Sequence, residues 1–118
     1  MIQHMQSTMR PSHRGRRGIL RRRIKAEIKS VLPDAEVVLY GSQARGDATR
    51  DSDWDILVLT DTHVTYTVER DVRRLMDDLS LKTDVVIMAF VHNRDAWMLP
   101  LSQASPYHQN IQREGIVL

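Results

Sequence analysis

The sequence predicts an α/β fold: a mixed β-sheet of about three to five strands covered by helices on one or both faces. Three observations predict it. Apolar residues recur at helical spacing in some stretches and as short β-branched runs in others. The two patterns alternate in the order helix, strand, short helix, strand, helix, strand, helices, strand. Turn-forming residues punctuate most changes of pattern.

Residues 1–14 show no clear periodicity. Ile19, Leu20, Ile24, Ile28, Val31 and Leu32 then mark a helix over residues 18–32, stopped by Pro33. Glu36 to Tyr40 is a short β-branched run and reads as a strand. Gly41 follows at once. Ser42 has the chemistry of an N-cap, so a short helix over 43–46 is expected. Residues 47–52 are polar and turn-like. Trp54 to Leu59 forms the second strand, and its continuous apolar end indicates burial on both faces. Val68, Val72, Leu75, Met76 and Leu79 line one side of a helix over 66–81. Asp84 to Phe90 is the third strand. Helices over 93–99 and 105–113 follow, broken at Pro100. Gly115 ends the last of them, and residues 116–118 return to the sheet edge.

A chain of 118 residues suits one domain. With 42% hydrophobic and 27% charged residues it can build one modest core, but not a deep pocket walled on every side. A second chain, a partner protein or another copy in a homodimer, is expected to cover part of the sheet. Cysteine is absent, which excludes disulfides and thiolate metal sites. The five histidines, His4, His13, His63, His92 and His108, have no close metal-ligand spacing, which argues against zinc. Apolar runs such as Val85 to Val91 are far too short to cross a bilayer, and a cytoplasmic protein is expected.

The net charge of +2 hides an asymmetry. Residues 1–25 hold eight Arg or Lys and no acid; the rest hold nine basic and fifteen acidic side chains. Residues 1–17 therefore read as a basic, flexible arm before a single domain over 18–118. The arm could attract nucleic acid or another polyanion, or simply be solvated. A nucleic-acid partner is disfavoured, because no second domain remains to grip a polynucleotide.

The chemistry lies in Gly41-Ser42-Gln43-Ala44-Arg45-Gly46 and in Ser52-Asp53-Trp54-Asp55. A strand ends at Tyr40, Gly41 permits close backbone approach, and the amides after it form an anion site. Asp53 and Asp55, at i and i+2, share one face of a strand. Two carboxylates side by side repel unless a cation lies between them, and hard oxygen ligands suit Mg²⁺. Asp84 can join them if the second and third strands are neighbours. Three carboxylates would hold two metal ions about 4 Å apart, as in two-metal phosphoryl chemistry. A pyrophosphate leaving group would rest on Gly41 and Ser42, with Arg45 as a charge partner.

The segment resembles the signature of the DNA polymerase β superfamily of nucleotidyltransferases: Gly41-Ser42, ten residues, then Asp53-Trp54-Asp55. The fuller Gly-Ser-x-Ala-Arg-Gly and Ser-Asp-x-Asp-hydrophobic form is similar to the minimal nucleotidyltransferase subfamily. The resemblance implies a palm-like nucleotidyltransferase fold with Mg²⁺, two ions, on Asp53, Asp55 and Asp84. It implies that Gly41 and Ser42 bind ATP or another nucleoside triphosphate. It also implies transfer of a nucleoside monophosphate, AMP above all, to a protein or other hydroxyl acceptor. Many small members are antitoxins beside a HEPN-domain toxin, so a HEPN-like partner is implied.

Plainer readings stand beside these. Asp84 could be a turn or cap residue. Arg45 could pair with Asp47 or Asp51, and Ser52 could fix the turn before the strand. Trp54 alternates into the core, and Tyr107 and His108 pack a helix end. The whole domain could be a binding module that neutralises a partner by occlusion, with a vestigial nucleotide site.

Overall fold

The alternation of β1 (Glu36–Tyr40) and β2 (Trp54–Thr60) sorts their side chains onto two buried faces. Val37, Leu39, Trp54, Ile56 and Val58 enter one core, and Val38, Leu57 and Leu59 enter another. The computed structural model describes residues 11–118, with side chains from Gly15 onward. The sheet order is β3-β2-β1-β4, with β3 at Ile87–Asn93 and β4 at Ile116–Val117. β1 runs antiparallel to β2 and β4, and β2 runs parallel to β3, so the sheet is mixed as expected.

The first face is closed by α1 (Pro11–Val31) and α3 (Tyr66–Thr83). Leu20, Ile24, Ile28 and Leu32 come from α1 and the residue after it; Val72, Met76 and Leu79 come from α3. Both sets follow the helical spacing read from the sequence. α1 begins well before Gly18, so the expected boundary between arm and domain falls inside a helix; residues 1–10 lie outside the described residues. Arg17 is part of this packing: its guanidinium lies 5.4 Å from the Trp54 ring centroid and donates to the Gln43 carbonyl at 2.8 Å.

The second face is only partly covered. After β3 the chain makes α4 (Arg94–Trp97), α5 (Pro100–Gln103) and α6 (Pro106–Glu114). The starts of α4 and α6 follow from local chemistry. Asn93 accepts from the amides of Asp95 and Ala96, and Ser105 accepts from that of His108. Trp97 and Ile111 cover Val38, Leu57 and Leu59. His108 is buried and stacks on Trp97 with ring centroids 4.0 Å apart, which agrees with a packed helix end. Met88 and Phe90, on the same face of the edge strand, remain 42% and 45% exposed. No described helix is long and apolar enough to cross a membrane.

Candidate functional site

Strand parity places the candidate site. In the β1–β2 register Tyr40 lies opposite Asp55, and in the β2–β3 register Met88 lies beside it. Asp55 therefore belongs to the second, partly covered face. Asp53, two residues earlier, precedes the first residue of β2. Asp53 is exposed and Asp55 is half-buried. Burial pushes the Asp55 carboxyl above its ordinary range. The Asp53 carboxylate adds to that shift, Arg45 opposes it, and Glu114 adds a further push. The carboxylates are close enough to feel one another, as the sequence predicts.

Gly41 connects this pair to the loop. Its φ of 76° and ψ of −159° put it in a conformation that L side chains rarely adopt. A Cβ there would overlap Asp55 Oδ2 and lie 3.2 Å from Asp55 Cγ. A larger residue would have to take up this unfavourable φ and push the Asp55 carboxyl aside. Gly41 is also the N-cap of α2 (Ser42–Arg45), its carbonyl accepting from the amides of Ala44 and Arg45 at 3.0 Å. Ser42 is therefore the first helical residue and not the cap, which corrects the expected start by one position. Gly46 closes α2 in the left-handed region.

Arg45 forms an ion pair with Asp47 at 3.1 Å. It forms another with Glu114, both of whose carboxylate oxygens lie 3.3 Å from Arg45 Nη1. Asp51 is not its partner in any described contact. Ser52 acts in the turn: its hydroxyl accepts from the Thr49 amide at 2.8 Å. Trp54 is buried on the opposite face, as its alternation requires.

Asp84 lies just before β3, at the end of the sheet where Asp53 precedes β2. It is exposed, and caps α3 in the left-handed region with φ 56° and ψ 37°. β3 begins at Ile87, so the expected strand start at Asp84 is three residues early. The cause is that α3 runs to Thr83, beyond the expected end at 81, and its closing turn takes up the next residues. Among the described residues, no three of His, Cys, Asp and Glu come together as a group that could hold a metal. The Asp53–Asp55 pair alone suits one hard divalent cation that fills its shell with water and phosphate oxygens. The donor set fits such an ion: two carboxylates two residues apart, one half-buried and one exposed.

Several neighbours were not singled out from the sequence. Glu114 ends α6, and its Oε1 accepts from the Gly41 amide at 3.1 Å. A carboxylate in the last turn of a helix opposes the helix dipole, and that oddity is the signal that could have found it. Tyr40 and Tyr107 meet edge to face with centroids 5.8 Å apart. Burial raises both phenols, the neighbouring Tyr107 raises Tyr40 further, and Asp55 contributes to each shift. This places the aromatic pair beside the carboxylates. A separate groove of about 480 Å³ runs between α3 and β3, past Glu69, Arg73 and Asp77, and contains none of the predicted site residues.

Residues 21–111 match the nucleotidyltransferase domain family. Two proteins of Methanocaldococcus jannaschii carry the name "putative protein adenylyltransferase". MJ0604 is 36% identical over 83 residues, 70% of this chain and 76% of that protein. MJ0141 is 32% identical over 72 residues, 59% of this chain and 73% of that protein. A solved "putative minimal nucleotidyltransferase" has a TM-score of 0.55 at 27% identity, over 86% of this chain and 94% of its own. A toxin–antitoxin crystal structure with AMP-PNP has a TM-score of 0.59 at 21% identity, over 81% of this chain and 69% of its own, a likeness of fold.

Proposed function

Because the chain belongs to the nucleotidyltransferase domain family, we propose that it transfers AMP from ATP onto a hydroxyl of a partner protein. One observation carries the reading. The loop that starts at Gly41 is packed so closely on Asp55 that a single Cβ would not fit between them. In this reading the backbone that faces phosphate and the carboxylate that binds a cation are these two neighbours.

In this reading Asp53 and Asp55 hold a divalent cation such as Mg²⁺. The bound ion would neutralise charge on the phosphates and lower the pKa of an attacking hydroxyl. Gly41 and Ser42 position the β- and γ-phosphates through their backbone, and Arg45 balances the charge of the departing pyrophosphate. The acceptor oxygen bonds to the α-phosphorus while the bond to the β-phosphate oxygen breaks. Pyrophosphate leaves, and the acceptor proton passes to a carboxylate or water. Asp84 precedes β3 at the end of the sheet where Asp53 precedes β2. Asp84→Asn tests whether it serves as a third carboxylate.

A protein acceptor is supported by the naming of the two archaeal relatives as adenylyltransferases of protein. A toxin as that partner, HEPN-like by family resemblance, is supported by a fold neighbour crystallised as a toxin–antitoxin. That neighbour's AMP-PNP supports an adenine nucleotide in the same way. The second reading is neutralisation by occlusion. It is favoured by one observation: the Gly41 amide and Arg45 already have a carboxylate partner in Glu114.

Labelled ATP separates the two. The protein is mixed with Mg²⁺, the product of the adjacent gene and ATP labelled on the α- or γ-phosphate. Transfer predicts α-label but no γ-label on the partner, and none with Asp53→Asn/Asp55→Asn. Absence of α-label from protein and RNA, with neutralisation retained by the double variant, would establish occlusion instead.

A further inference from the structure

Glu114 sits where an acid is poorly tolerated. It ends α6, where the helix dipole disfavours negative charge, and its charge reaches Asp55. Asp53 adds a further negative charge nearby. The opposing contacts are few and specific: the Gly41 amide at 3.1 Å and Arg45 Nη1 at 3.3 Å to both carboxylate oxygens. Side-chain exposure at Glu114 is 16%, so the contact is mostly sheltered from water. The donors it occupies are the Gly41 amide and the Arg45 guanidinium, the groups assigned to phosphate in the proposed nucleotide site.

We infer that Glu114 is a resident anion in the site and a specificity-determining residue, which an incoming polyphosphate must displace from Gly41 and Arg45. The inference rests on the nucleotide reading above. A polyphosphate without metal meets Asp53, Asp55 and Glu114, opposed among the described residues acting on Asp55 by Arg45, and is repelled. A polyphosphate that carries a divalent cation brings charge to Asp53 and Asp55 and competes for the two donors on better terms. Glu114 thereby selects metal-bearing polyphosphates over bare ones.

Titration calorimetry on the full chain tests this with two probes, inorganic pyrophosphate in EDTA and ATP with Mg²⁺. Glu114→Gln keeps an acceptor for the Gly41 amide and removes the charge; Glu114→Ala removes both. Each variant is first melted without ligand to establish that it folds. Both should bind pyrophosphate in EDTA about tenfold more tightly than the parent chain, the scale of one charge-assisted contact. The gain should be smaller for ATP with Mg²⁺. Equal or weaker pyrophosphate binding by folded variants, while the parent chain binds ATP with Mg²⁺, overturns the inference alone. If neither the parent chain nor either variant binds ATP with Mg²⁺, the nucleotide reading fails and the inference with it.

Discussion

The two faces of one sheet are built from alternate residues of the same strands, yet they do different work. Under α1 and α3, Ile24, Ile28, Leu39, Ile56 and Met76 are fully buried, and the face is closed by apolar packing. Under α4 to α6, the chain buries Leu57, Leu59, Trp97 and Ile111 but leaves Asp55, Tyr40, Met88 and Phe90 wholly or partly open. One face holds the fold together. The other places like charges next to a glycine whose conformation other residues rarely adopt, and is left incomplete. Separating the two lets a small domain keep a destabilising site on a stable support.

The largest expected effect breaks the open face alone. Asp53→Asn with Asp55→Asn should lower transfer by about a thousandfold or more, about 4 kcal/mol in the barrier. The circular dichroism spectrum should not change. The mirror experiment is Ile28→Ala on the closed face. It should remove about 3 kcal/mol of stability in a denaturant titration, the usual range for a fully buried isoleucine. Activity per folded molecule should stay near that of the parent chain.

Gly41→Ala sits at the join and should hurt both properties, with a loss of about 1–2 kcal/mol in melting experiments and weaker ATP binding. Unchanged binding would show that the close approach to Asp55 is incidental. A smaller effect sharpens the contrast in the opposite direction. The Asp55 carboxyl is raised, so the native state holds its proton more tightly than the unfolded chain. Its ionisation therefore lowers stability as pH rises from the ordinary 3.8 through the raised value. Asp55→Asn should flatten that slope and raise the neutral melting temperature by about one to three degrees without metal, a modest gain because the site is partly solvated. The smallest effect belongs to Phe90→Ser, within about 0.5 kcal/mol for an isolated domain. A larger loss would mean that something covers the open face of β3.

Much of this architecture was legible in the sequence, because buried strands and amphipathic helices leave direct periodic traces. Val37, Leu39, Trp54 and Ile56 alternate, and Val72, Met76 and Leu79 recur by turns, so layers and facing were readable. Gly41 and the carboxylate pair were readable because their spacing within one strand–loop–strand unit fixes where they meet. Asp84 was placed less well, since a helix end and a strand start compete for the same few residues. The left-handed cap at Asp84 decided that competition for the helix. Glu114 lies 73 residues from Gly41, and no local pattern announces a contact at that separation. Arg17 was read with the basic arm because its aromatic partner, Trp54, lies three elements further on, in β2.

ATP binding with Mg²⁺, followed by titration calorimetry, tests the open face as a metal-dependent nucleotide site. The parent chain and Asp53→Asn/Asp55→Asn are compared, each with Mg²⁺ and again with EDTA. Saturable one-site binding by the parent chain is expected only when Mg²⁺ is present, and none by the folded double variant. Binding of equal strength in the double variant, or in EDTA, would contradict a metal-dependent nucleotide site on the open face.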